Sequence, residues 1–169
     1  MAEMDSRVDG SGTFSRVLLA TDGSPDAALA ARKAVAISKG TGAELHVVHV
    51  WNEIHTTHFS GFVRHELERR GREVLADAVR RVEEIGGRVA GEHLAVGRTV
   101  EGILEVQKNI GADVIIAGSR GMGAVRTVIM GSVSMELARR APCPVLVVHG
   151  EEKGAAVSET GAAAESGAR

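Results

Sequence analysis

Four apolar runs of strand length, separated by longer stretches of helical periodicity, restrict this chain to very few folds. The runs are Val17-Leu18-Leu19-Ala20, Leu45-His46-Val47-Val48-His49-Val50, Val114-Ile115-Ile116-Ala117 and Val145-Leu146-Val147-Val148. Runs this rich in Val and Ile, apolar on both sides, suit parallel strands covered on both faces. Between the first two, Ser24 followed by Pro25 opens a helix, because Ser caps well and Pro is tolerated at the first helical position. That helix is predicted to end at Lys39-Gly40. A second helix is predicted over 62–85, with Val63, Leu67, Val74, Leu75, Ala78, Val82 and Ile85 on one stripe and Gly86-Gly87 behind it. The weaker alternation of 88–96 reads as an edge strand, and further helices are predicted over 100–109 and 132–140. This order predicts an α/β fold: an open, doubly wound sheet of five parallel strands, helices on both faces and right-handed crossovers.

The ordered domain is expected at 16–150, with residues 1–15 and 151–169 as disordered tails, since both ends are polar and lack large apolar residues. No segment reaches the roughly 18 apolar residues of a membrane helix, and residues 1–15 lack a signal-peptide core, so a cytoplasmic protein without membrane contact is expected. Of the net charge of -2, the tails hold -4; 16–150 has 15 acids and 17 bases. With three Phe, one Trp and no Tyr, the chain has neither the charge nor the stacking surface of a nucleic-acid binder. A single cysteine, Cys143, excludes an internal disulfide and is expected to be an inert, buried thiol.

In such a sheet, ligands bind beyond the carboxyl ends of the strands. The segments to search are therefore Thr21-Asp22-Gly23-Ser24, the residues after Val50, Gly97-Arg98, and the chain from Gly118 onward. The last of these is glycine-rich, running from Gly118-Ser119-Arg120-Gly121 to Gly131-Ser132-Val133-Ser134. It lacks the lysine of a Walker A loop, and its spacing and position differ from a dinucleotide fingerprint. Small residues at a strand end followed by Gly131-Ser132 at a helix start can present backbone N–H groups and the positive helix end to phosphate. Ser132 and Ser134 would add hydroxyl donors, and Arg120 or Arg126 could reach phosphate. The competing reading is that the glycines only turn the chain and Ser132 only caps a helix. Asp22 likewise suits ribose hydroxyls or a magnesium ion on phosphates, or else folds back onto the Gly23 and Ser24 amides.

Gly118-x-x-Gly121, nine residues, then Gly131-Ser132 closely resembles the ATP-binding motif of the universal stress protein (UspA-like) family. The flanking Thr21-Asp22-Gly23-Ser24, His49-Val50, Gly97, Ala112-Asp113-Val114-Ile115-Ile116 and Pro142-Cys143-Pro144 segments resemble it in the same order, over about 15–149. The resemblance implies strand order 3-2-1-4-5 and binding of ATP, with magnesium as its companion ion. It implies that Asp22 sits by ribose and phosphates and is the metal-side carboxylate, and that Val50 meets adenine through its backbone. Gly118, Gly121, Gly131, Ser132 and Ser134 surround ribose and phosphates; Ala20, Thr21, Gly97, Ser119, Arg120 and Val133 complete the implied set. A nucleotide-dependent stress sensor follows, with slow hydrolysis at most and a homodimer formed through Val145 to His149. The alternatives are an interaction module of the same fold with an empty cleft, or a binder of another adenine nucleotide such as cyclic AMP.

Other chemistries find less support. His55, His58 and His65 suggest metal ligands only weakly, because the position that would complete a zincin motif is Arg69. His46 and His49 are three apart in a strand and fall on opposite faces. The third strand ends without the Asp of a response regulator, and no Gly-x-Ser-x-Gly elbow occurs.

Overall fold

In the computed structural model, residues 14–52, 61–122 and 130–150 are described. The elements run β1 (Arg16–Ala20), α1 (Pro25–Thr41), β2 (Glu44–Trp51), α2 (Gly61–Glu84), β3 (Val89–Val96), α3 (Thr99–Ile110), β4 (Val114–Gly118), α4 (Ser132–Arg140) and β5 (Val145–Val148). All strand pairs are parallel, and the sheet order is β3-β2-β1-β4-β5. The predicted fold and order are what the chain forms.

Strand alternation divides the core in two. Val17, Leu19, Leu45, Val47, Val114 and Ile116 point to one face, beneath α1 and α2. Leu18, Ala20, Val48, Val50, Ile115 and Ala117 point to the other, beneath α3 and α4. Each fully buried aliphatic side chain contributes about 1.5–3 kcal/mol relative to exposure, so the central strands dominate the stability. The face α1 turns to the sheet is made of Ala27, Ala30, Ala31 and Ala34, and such small residues allow close approach. A Cβ on Gly118 would lie 2.7 Å from the backbone of both Asp26 and Ala27. Thus the first turn of α1 rests directly on the end of β4.

Helix α1 runs past Gly40 and ends at Gly42, which takes the left-handed conformation (φ 76°) and donates its N–H to the Ser38 carbonyl. The Thr41 hydroxyl, bonded to the Ile37 carbonyl at 2.8 Å, carries the last turn over the earlier glycine. His46 and His49 do point to opposite faces. The first meets His93 across β2 and β3, Nδ1 to Nε2 at 3.2 Å; the second donates from Nδ1 to the Thr21 carbonyl at 2.8 Å. His65 lies exposed on α2. His55, His58, Arg126 and both predicted tails apart from Phe14 and Ser15 lie outside the described residues. Among the described residues, no helix is long and apolar enough to cross a membrane.

Candidate functional site

Strands β1 and β4 end side by side, and the segments leaving them are tied together by side chains acting on backbone. Thr21 continues the ladder, its N–H reaching the Val48 carbonyl at 2.9 Å. Next, the Asp22 carboxylate accepts the Ser24 amide on Oδ1 at 2.9 Å and the Met122 amide on Oδ2 at 3.0 Å. Asp22 therefore does fold back, onto Ser24 rather than Gly23, and also clamps the segment after β4 against the β1–α1 turn. A Cβ on Gly121 would come within 2.7 Å of that same Oδ2, so the clamp requires glycine there. Ser24 caps α1 by accepting the Ala27 amide at 3.2 Å and donates its hydroxyl proton to the Arg120 carbonyl at 3.1 Å.

Helix α4 begins differently. Its N-cap is Gly131, with extended φ and ψ and no side-chain cap bond; Ser132 is the first helical residue rather than the cap. The first-turn amides have no partner within the helix, and the cap residue supplies no side-chain bond to them. The chain is returned to this point by the Gly131 amide, bonded to the Ser119 carbonyl at 2.6 Å. Ser134 is buried and gives its proton to the Gly118 carbonyl at 2.6 Å, so its hydroxyl anchors α4 to β4 and its donor is already engaged.

A cavity of about 540 Å³ opens between these segments, within the range of small-molecule sites. Of the sequence-predicted residues, Ala20, Thr21 and Asp22 line it from β1, and Val50 from β2. Gly118, Arg120 and Gly121 line it from the end of β4, and Gly131, Ser132, Val133 and Ser134 from α4. Two predicted residues do not line it. Gly97 donates to the Trp51 carbonyl at 3.0 Å and holds φ 117°, shaping the turn into α3. Ser119 is 2% exposed and points away, to Asp26. Sequence reasoning did not name as site residues Ala27, Val48, Thr99, Ile103 and Ala117, which also line the cavity. Asn52, also in the lining, falls in the segment after Val50 that the strand-end rule marked; Thr99 and Ile103 depend on how α3 packs.

Behind the cavity lies a buried polar cluster. The Asp26 carboxylate, in the first turn of α1, accepts Ser119 Oγ at 2.8 Å and Arg120 Nε at 3.2 Å on the same Oδ2. With the Ser119 proton committed to the carboxylate, His149 must donate from Nδ1 to Ser119 Oγ, at 2.8 Å. Burial alone would raise the Asp26 carboxyl; the Ser119 and Arg120 hydrogen bonds and the charges of Arg120 and His149 outweigh it and hold it below its ordinary value. Cys143 is partly buried, and burial, aided by the Asp113 charge, pushes its thiol up.

As for metal, the described residues contain no group of three His, Cys, Asp or Glu arranged to hold an ion. Asp22 is the one carboxylate among the described cavity residues. The donor set thus fits an ion carried on a ligand's phosphates, for which one protein carboxylate suffices.

Comparison with known proteins bears on this architecture. The universal stress protein family model matches residues 13–149. A Bacillus subtilis universal stress protein, YxiE, is 33% identical over 148 residues, covering 80% of this chain and 99% of that protein. A Thermus aquaticus universal stress protein is 37% identical over 139 residues, covering 80% and 98%. Among solved structures, a universal stress protein in complex with cAMP superposes with TM-score 0.64 at 25% identity, covering 81% of this chain and 98% of that one. On the family match, the shared fold and the two relatives together, this chain belongs to the universal stress protein family.

Proposed function

We propose that the cavity binds an adenine nucleotide, with ATP carrying magnesium as the first choice, and that the bound form acts as a stress sensor or regulator. The observation that carries this reading is the polarity of the cavity. At one end the uncapped amides of α4 and the Arg120 guanidinium offer anion donors; at the other, Val48, Val50 and Ile103 form an aliphatic wall for a base. Phosphate belongs at the first end, by the helix dipole and free N–H groups, and adenine at the second. Asp22 keeps lone pairs beyond the two used by backbone amides, enough for a ribose hydroxyl or a magnesium ion on the phosphates. A relative solved with cAMP makes adenine nucleotides the class to test.

Among the described residues Asp22 is the only carboxylate lining the cavity, and its lone pairs are shared between two backbone amides and the ribose or magnesium proposed for it, so none of these is held for a water as general base. Hydrolysis is therefore slow at most. Equilibrium dialysis with ATP, and with cAMP in parallel, tests the reading against a Gly131→Val variant. The Cβ at 131 would meet the Ser119 carbonyl at 3.2 Å and crowd the amides, so ATP binding should fall at least ten-fold; equal binding by both proteins rules the reading out.

A second reading, a dimeric interaction module, is favoured by β5. This edge strand leaves Leu146 38% exposed, and an apolar edge calls for a cover. Pairing of two copies through Val145 to His149 would supply one in a cytoplasmic homodimer. Light scattering at micromolar concentration should show the dimer, and Leu146→Lys should dissociate it.

A further inference from the structure

The carboxylate of Asp26 is an expensive group to find here. Its side chain is 8% exposed, it does not line the cavity, and a buried charge destabilises unless it is well paired. A neutral residue could satisfy the Ser119 hydroxyl without that cost. What a carboxylate adds is its hold on Arg120, whose Nε sits 3.2 Å from Oδ2. Arg120 lines the cavity, its side chain 19% exposed. Its backbone is fixed independently by the Ser24 hydroxyl. Among the described residues its two terminal amino groups make no hydrogen bond. A guanidinium gripped by Nε alone keeps a rigid two-pronged donor edge for a further anion.

We infer that Asp26 is the positioning residue of the site: it holds Arg120 by Nε, leaving the two terminal amino groups for the phosphates of the nucleotide. The inference rests on the proposed nucleotide reading and assigns Asp26 a role in affinity without contact to the ligand. It makes the grip on Arg120 a device for recognising phosphate chains over unphosphorylated nucleosides.

The test is calorimetric titration with ATP and with adenosine on the full chain. Asp26→Asn should weaken ATP about ten-fold, the scale of coupling between groups in direct contact, and leave adenosine within about two-fold. On an Arg120→Ala background the same substitution should change ATP affinity by less than about two-fold. Arg120→Lys keeps the charge but has one nitrogen for both Asp26 and phosphate, so it should lose ATP affinity as Asp26→Asn does; it serves if Asp26→Asn does not fold. Equal losses for ATP and adenosine, or full additivity with Arg120→Ala, would overturn the inference. A wild-type chain that binds neither ligand refutes the nucleotide reading, and a ligand-free readout then decides the role of Asp26. The Arg120 Nε proton should exchange slowly in wild type and quickly in Asp26→Asn; identical exchange overturns the inference with or without a nucleotide.

Discussion

The residue that best shows how fold and site share constraints is Gly118. Its place in a glycine-rich loop suggests access for phosphate, yet the space above it is filled by the first turn of α1, with backbone atoms of Asp26 and Ala27 2.7 Å from where a Cβ would stand. Gly118→Ala should therefore destabilise the ligand-free protein by about 1–3 kcal/mol, the usual cost of overpacking; an unchanged urea midpoint would show that α1 can move away. Asp22 separates in the same manner. Its carboxylate receives two amides, from Ser24 and Met122, and Asn offers only one acceptor atom. Asp22→Asn should cost about 1–3 kcal/mol before any ligand is added, measured by denaturant unfolding. Most residues of the motif line one cavity. The motif alone could not assign tasks within it, because Asp26, which meets Gly118, Ser119 and Arg120, lies more than 90 residues away in α1, where an acid in a first turn is common for reasons of helix dipole alone.

At the scale of elements, the two helices that meet the site begin in opposite ways. Helix α1 is closed by Ser24, which is 2% exposed and bonded to both Ala27 and Arg120. Helix α4 is left open behind Gly131. Ser24→Ala should cost about 1–2 kcal/mol in stability, the range for a lost cap, and thermal unfolding would register it; no shift would mean that the cap carries nothing. The four apolar runs, the edge strand and all four helices were legible from period and punctuation. The end of α1 was not, because two glycines two residues apart both suit a stop and the choice fell to the one beside β2. The bounds of α4 were legible, but the choice of cap between Gly131 and Ser132 was not. Ser is the better capping residue by propensity, but the Gly131 amide is drawn to the Ser119 carbonyl, and that tertiary bond sets where the helix starts.

For the molecule as a whole, the His46–His93 contact gives stability a pH dependence. His93 is held below its ordinary value, first by burial and then by the charge of His46. The second nitrogen of His46, Nε2, is buried without a hydrogen-bond partner and stands 3.8 Å from Glu44 Oε2. The unfolded chain thus takes up the His93 proton more readily than the folded one. The contribution is fully present above about pH 6.5 and is lost as pH falls through the lowered folded value. Urea midpoints measured from pH 7.5 downward should drop below pH 6.5, and His93→Gln should flatten that part of the curve. The same slope in both proteins would assign it elsewhere.

His149 follows β5 directly and is exposed, while its Nδ1 starts a run of contacts through Ser119 and Asp26 to Arg120. Thermodynamic reciprocity then applies to whatever covers that edge. If pairing there tightens nucleotide binding by some factor, nucleotide must tighten pairing by the same factor. Ligand affinity would then depend on how much of the protein a cell holds, and the chain would report its own abundance along with the nucleotide.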